Sequence, residues 1–115
     1  MPPIVRAISI RQPFVEQILR GIKKAEYRSQ PTNIRERVYL YASQRAADWP
    51  RGWTQVGKVP GTLPTGAIVG SVEIAGCRWD GRAERFAYVL RNPRRVRKPL
   101  IPKNRPQPVF WRPKF

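Results

Sequence analysis

Histidine is absent from the 115 residues, and cysteine occurs once, as Cys77. Without histidine, neither a Ser-His-Asp or Cys-His nucleophile nor a ribonuclease built on paired histidines is possible. A zinc site is not expected either, because cysteine and histidine are the usual zinc ligands. We therefore expect no metal and no cofactor, and any acid–base chemistry must come from Glu, Asp, Lys, Tyr or the single thiol.

Long apolar runs are also missing. No stretch approaches the roughly 18 apolar residues of a membrane span, and Arg6 and Arg11 interrupt the short apolar run near the start of the chain, which is not a signal-peptide layout. The single cysteine excludes an internal disulfide and fits a reducing compartment. The sequence therefore predicts a soluble, cytoplasmic protein without a membrane partner.

Acidic residues are scarce: Asp and Glu number 7 against 23 Lys and Arg, which gives a net charge of +16. A domain this basic commonly meets a polyanion, and nucleic acid is the usual one. The alternative is that the charge serves only solubility. Residues 91–115 hold nine bases and no acid, which predicts a phosphate-binding strip or, alternatively, a solvated basic tail.

The length suits one domain spanning residues 1–115. Apolar periodicity predicts a helix over 13–20, with proline in its first turn and Gly21 as its left-handed stop. A helical turn is predicted at 44–49, and a Gly- and Pro-rich loop at 50–66. Strands are predicted at 4–10, 24–28, 37–43, 67–79, 85–92 and 108–113. About six short strands and one or two short helices predict a mainly β fold, closed or nearly closed as a small barrel.

Three segments in this order carry a family resemblance. Residues 21–28, Gly-Ile-Lys-Lys-Ala-Glu-Tyr-Arg, fill every fixed position of the pattern G-x-K-x-x-E-x-R; Ser-Ile-Arg-Gln-Pro precedes the helix at 9–13; and a G-x-[IV]-x-G-x-V strand follows at 66–72. Together they resemble the ASCH domain, a branch of the PUA-like superfamily, over nearly the whole chain. The resemblance implies a PUA-like small β-barrel and a role in binding RNA or in RNA metabolism.

The resemblance also implies two enzymatic alternatives. Some ASCH proteins look like nucleases, which here would be a metal-independent ribonuclease. A small-protein branch looks like amidohydrolases that remove the acyl group from N4-acylated cytidine nucleosides, using a lysine, a threonine three residues on and a glutamate on a later strand. Lys23 and Glu73 match the first and last positions, but Glu26 replaces the threonine. The catalytic candidates are therefore Lys23, Glu26 and Glu73; a third alternative is a basic ribonucleoprotein interaction module.

The motif also has a geometric consequence. Glu26 and Arg28 are two residues apart on a strand, so their side chains share a face. Lys23 has the opposite parity and can join them only from the turn before the strand, which Gly21 would allow. As a binding site, Lys23 and Arg28 would hold a phosphate or base carbonyl, and Glu26 would accept from an amino group of an RNA base or modified nucleoside. Alternatively, Arg28 is a structural partner that keeps Glu26 ionised.

Bases of a single strand stack on exposed aromatic rings, so aromatic residues are further candidates. Trp53, in a polar stretch beside Arg51, is the first choice, with Tyr27, Trp49 and Trp79 as others. Tyr39, Tyr41, Phe86 and Tyr88 lie in strands and are predicted to be core. The predicted nucleic-acid-binding residues are Arg11, Lys23, Lys24, Arg28, Ser43, Arg51, Trp53, Arg94, Arg95, Arg97 and Lys98.

Overall fold

The computed structural model describes residues 2–115, which form one six-stranded sheet and two short helices. The elements in chain order are β1 Ala7–Ile10, α1 Phe14–Leu19, β2 Ala25–Arg28, β3 Arg37–Ala42, α2 Pro50–Val56, β4 Ala67–Asp80, β5 Arg85–Leu100 and β6 Phe110–Trp111. The sheet order is β2-β5-β4-β3-β1-β6, with β1 parallel to β3 and every other pair antiparallel. The mainly β class predicted from the sequence is confirmed.

The sequence predicted a closed or nearly closed barrel, but the six strands form an open sheet and the barrel is not closed. The edges of the sheet are β2 and β6, and β6 has only two residues because Pro106 and Pro108, which lack an N–H, precede it. Side chains join the two edges instead. Arg28 on β2 donates from Nη2 to the carbonyl oxygen of Ser9 on β1 at 2.8 Å, and from Nη1 to the carbonyl oxygen of Pro108 at 3.2 Å.

Helix α1 covers one face of the sheet. Val15 and Ile18 point from the helix into the main core, where they meet apolar side chains of β1, β3, β4 and β5. A smaller cluster made of Ala7, Tyr41, Ile68 and Trp111 fills the other face. Strand β1 is therefore buried on both faces, which is why its sequence is almost continuously apolar.

The end of α1 follows the sequence prediction closely. Gly21 adopts φ of 75°, and two reversed hydrogen bonds close the helix: Gly21 N–H to the Ile18 carbonyl and Ile22 N–H to the Gln17 carbonyl. This pattern is a Schellman motif, which needs the left-handed glycine. It turns the chain sharply, so that Lys23 precedes β2 in a turn rather than extending the strand.

Two predicted segments differ from the structure. Residues 44–49 are not helical, and the helix lies instead in the predicted loop, as α2 with Pro50 in its first turn and Gly57 at φ 67° after its end. Strand β5 does not stop at 92 but continues through the basic segment to Leu100, because β4 supplies hydrogen-bonding partners from Glu73 back to Ile68.

No helix among residues 2–115 is long and apolar enough to cross a membrane.

Candidate nucleic-acid interface

Lys23, Glu26 and Arg28 converge as their spacing predicts. Glu26 is buried at 8% exposure, and its carboxylate accepts from Arg28 Nη2 at 2.7 Å and Nε at 3.2 Å. Lys23 Nζ reaches the other carboxylate oxygen at 3.3 Å from the turn before β2. Glu26 therefore sits between two cations, and both of its oxygens already have partners.

Lys23 is held by more than its ion pair. Its ammonium lies 5.4 Å from the ring centre of Phe14 and 5.3 Å from that of Tyr27, both within cation–π range. Phe14 comes from α1 and Tyr27 from β2, so the ammonium joins the helix to the edge strand. The lysine side chain lines a small cavity of about 260 Å³, whereas Phe14 and Tyr27 line a larger one.

The larger cavity has a volume of about 1210 Å³ and opens beside the Glu26–Arg28 pair. Its walls come from the turn before α1, from β2, from the end of β3 and the residues after it, and from the segment 105–108. The lining residues are Ser9, Ile10, Arg11, Phe14, Glu26, Tyr27, Arg28, Tyr41, Ser43, Gln44, Arg45, Arg85, Arg105, Pro106, Gln107 and Pro108. Five of them are arginines and one is an acid.

Four of the five arginines are exposed and uncommitted. Arg11, Arg45, Arg85 and Arg105 make no side-chain hydrogen bond or ion pair with the part of the chain that the structure describes. Arg28 differs, since its guanidinium is used by Glu26 and two backbone carbonyls. We call the four uncommitted side chains the arginine rim.

Sequence reasoning named Arg11 of the rim as a binding residue, included Arg105 only within the basic segment 91–115, and missed Arg45 and Arg85. Arg45 lies in a segment predicted as a helical turn, Arg85 at a strand start and Arg105 in the basic tail, with no local pattern that joins them. Only the folded chain brings the loop after β3, the start of β5 and the segment 105–108 to one cavity.

Two hydroxyl groups add neutral polar contacts inside the cavity. Ser43 and Tyr41 both line it, and neither hydroxyl bonds to a described residue. Tyr41 is 3% exposed, and burial raises the pKa of its phenol, so the group stays neutral at physiological pH. Tyr41 was predicted to be a core residue, and it is buried, but it also lines the cavity.

Glu73 does not join this site. Its carboxylate faces Arg37, at 3.8 Å, and accepts from Asn92 Nδ2 at 3.1 Å. It lines a separate cavity of about 920 Å³ together with Arg37 and Arg94. Burial lowers the pKa of Arg37, and the nearby Arg94 lowers it further. The three catalytic candidates are thus split, with Lys23 and Glu26 in one place and Glu73 in another.

Trp53 is not an exposed ligand-binding residue, which corrects the prediction for it. The side chain is 3% exposed on α2, and its Nε1 donates to the Ala47 carbonyl at 3.0 Å. The Gly- and Pro-rich context had indicated a loop, whereas the helix places the indole inward. Arg51 is exposed on the same helix but does not line the main cavity.

The predicted basic residues of β5 form a surface of their own on the outer half of the strand. Arg94, Arg97 and Lys98 are exposed, and none forms an ion pair within residues 2–115. Arg95 differs, because its guanidinium forks onto both oxygens of the buried Glu16 at 2.9 and 3.0 Å. Lys24 lines a small cavity near the inner end of this surface.

The fold and the site define a mainly β protein with a basic cavity at one edge of its sheet. The ASCH domain family model matches residues 8–99, and the chain belongs to this family. The crystal structure of ASCH from Zymomonas mobilis is similar, with a TM-score of 0.64 at 14% identity, over 93% of this chain and 85% of that one. A serine-to-alanine mutant of the Zymomonas mobilis protein gives a TM-score of 0.62 at 15% identity, over 93% and 86%. At such identities the likeness concerns the fold alone, and the sequence matches no curated protein.

Proposed function

We propose that this protein binds single-stranded RNA, with one nucleotide in the main cavity and the neighbouring phosphates on the arginine rim. The observation that carries the proposal is the rim itself: four exposed, uncommitted guanidinium groups around one cavity. Guanidinium groups pair well with phosphate oxygens, in bidentate geometry where it is available. The net charge of +16 favours the same class of ligand.

The interior of the cavity suits a base or modified nucleoside better than a phosphate. The hydroxyls of Tyr41 and Ser43 can donate to or accept from a base edge, whereas the four rim arginines are exposed to solvent. Each oxygen of Glu26 already has a cationic partner in Lys23 or Arg28, so in this proposal its part is to hold those two cations and not to bind the base. This reverses the ligand contact expected for Glu26 from sequence.

The test is salt-dependent binding of fluorescent single- and double-stranded RNA and DNA, with the integrity of each strand read on a gel. Arg105→Gln should weaken binding and lower the salt slope by about 0.7, the value of one phosphate contact to a single strand. The matched control is Lys58→Gln, which removes one charge from an exposed side chain that does not line the cavity. The control should bind like the wild type.

Other outcomes separate the alternatives. Equal loss in Arg105→Gln and Lys58→Gln would mean that total charge, and not the rim, governs binding, as for a basic interaction module. If the wild-type protein cleaves the RNA and the Lys23→Ala variant leaves it intact, the protein is a ribonuclease. Absence of binding at physiological salt would overturn the RNA proposal, and N4-acylated cytidine nucleosides would then be the substrates to assay.

A further inference from the structure

Trp79 is an exposed indole on a rigid strand. It lies near the end of β4 with 57% of its surface exposed, and its ring contacts Phe86 edge-to-face, with centres 5.1 Å apart. Phe86 itself packs against the main core. The strand and the phenylalanine therefore brace the indole, while more than half of it stays open to solvent.

The register of the sheet places this indole beside the main cavity. Trp79 is paired with Phe86 across β4 and β5, and Phe86 is paired with Arg28 across β5 and β2. Directly paired residues share a face, so the three side chains lie in a row over three adjacent strands. Two strand spacings put the Cα atoms of Trp79 and Arg28 about 10 Å apart. Since Arg28 lines the cavity, neighbouring nucleotides of an extended strand can bridge this gap.

The hairpin that carries the indole, residues 78–85, holds three arginines and two acids, Asp80 and the exposed Glu84. Arg78, Arg82 and Arg85 are exposed, and their side chains form no ion pair in the described part of the chain. Asp80 uses one carboxylate oxygen to cap the backbone N–H groups of Arg82 and Ala83 in the hairpin turn. Arg85 also belongs to the arginine rim, so one arginine at the start of β5 is shared between the hairpin and the main cavity.

We propose that Trp79 stacks on a base next to the nucleotide held in the main cavity, which makes it a second RNA-binding site. This inference rests on the proposed RNA-binding function. Single-strand binding sites combine a basic groove along the backbone with aromatic side chains on which successive bases stack. The row from Arg28 through Phe86 to Trp79, with Arg85 alongside, has both parts.

The experiment compares Trp79→Ala, Trp79→Phe and Trp49→Ala in the same RNA-binding assay. Trp49 is the matched control, because it is an equally exposed tryptophan, at 53%, that does not line the cavity. Trp79→Ala should weaken binding about 5- to 150-fold, the usual loss for one base–aromatic stack. The salt slope should stay unchanged, since no phosphate contact is lost. Trp79→Phe should retain most of the affinity, and Trp49→Ala all of it.

An RNA with one abasic position gives an independent readout that does not depend on the folding of the alanine variant. One position should exist at which removing the base weakens wild-type binding but not binding by Trp79→Ala. Wild-type affinity in Trp79→Ala, an equal loss in Trp49→Ala, or the absence of such a position would overturn the stacking site. If the stacking site is overturned but Arg105→Gln still weakens binding, only the cavity proposal is supported. If Trp79→Ala weakens binding and Arg105→Gln does not, the cavity proposal fails.

Discussion

Replacing Arg95 by glutamine tests whether this arginine stabilises the fold. The sequence predicted instead that Arg95 binds nucleic acid. Glu16 on α1 is buried, and its two oxygens accept from Arg95 and from Arg20 Nε, the latter at 2.7 Å. In Arg95→Gln, one carboxylate oxygen loses the only donor it has within residues 2–115, and the other keeps Arg20. The pair joins α1 to the outer half of β5, so its loss should destabilise the fold.

The expected magnitude follows from burial. A hydrogen bond to a charged group contributes about 1.5–3 kcal/mol. The Glu16 side chain is 6% exposed, but that of Arg95 is 54% exposed, so solvent screens the pair and favours the lower end of the range. We therefore expect Arg95→Gln to lower the free energy of unfolding by about 1.5 kcal/mol, or the melting temperature by roughly 6 °C.

The loss should depend on pH in a defined direction. The hydrogen bond from Arg95 lowers the pKa of Glu16 below its usual 4.5. A carboxyl with a depressed folded-state pKa contributes stability that is complete above its unfolded value and is lost as pH falls through the folded value. The difference between wild type and Arg95→Gln should therefore be full at neutral pH and shrink below pH 4.5.

Thermal melts followed by circular dichroism, from about pH 7 to about pH 3, measure this difference. Arg97→Gln is the matched control, because Arg97 lies two residues along the same strand and is exposed without an ion pair in the described chain. The control should change stability by less than about 0.5 kcal/mol. If Arg95→Gln melts like Arg97→Gln, or if the difference is the same at both pH extremes, the reasoning is wrong.

Two further substitutions test how the sheet is held. Arg28→Lys keeps the charge, but a lysine cannot reach Glu26 and two carbonyls at once. We expect the free energy of unfolding to fall by about 1.5–3 kcal/mol and the segment 105–108 to be cleaved faster by a protease. The control variant Lys58→Gln should be cleaved at the wild-type rate. Gly70→Ala places a Cβ 2.5 Å from the Arg94 carbonyl oxygen, a backbone clash that should cost about 1–3 kcal/mol in a denaturant melt, whereas Gly76→Ala, with no contact closer than 3.6 Å, should be milder.

The parts of the site that could be predicted are those that local rules determine. The left-handed Gly21 ends α1, and strand parity puts Glu26 and Arg28 on one face, so the convergence with Lys23 follows from eight consecutive residues. A glycine within a strand likewise favours a bulge or bend, and the sheet register shifts between Ile68 and Gly70. Each of these features depends on chain geometry over a few residues and needs no knowledge of distant partners.

The misses have two different physical causes. For α2 the signal was present but misinterpreted: Pro50 in the first turn and Gly57 after the last are typical helix boundaries, yet the density of Gly and Pro indicated a loop. For the outer half of β5 there was no local signal, because charges and prolines disfavour a strand. Its hydrogen-bonding partners lie earlier in the chain, on β4, and only the long hairpin brings the two strands together.

We therefore expect the motif at residues 21–28 to stabilise the fold and the arginine rim to bind the ligand. The sequence suggested that Glu26 and Arg28 bind the ligand, but their polar atoms are used by each other and by the backbone of the opposite sheet edge. A group whose hydrogen bonds are already made gains little from a ligand and loses structure if it moves. The arginine rim lies outside the motif, and two of its members, Arg11 and Arg105, are close in the chain to the Ser9 and Pro108 carbonyls that Arg28 binds. Substitution within the motif should then act on stability first, and substitution in the arginine rim on affinity first.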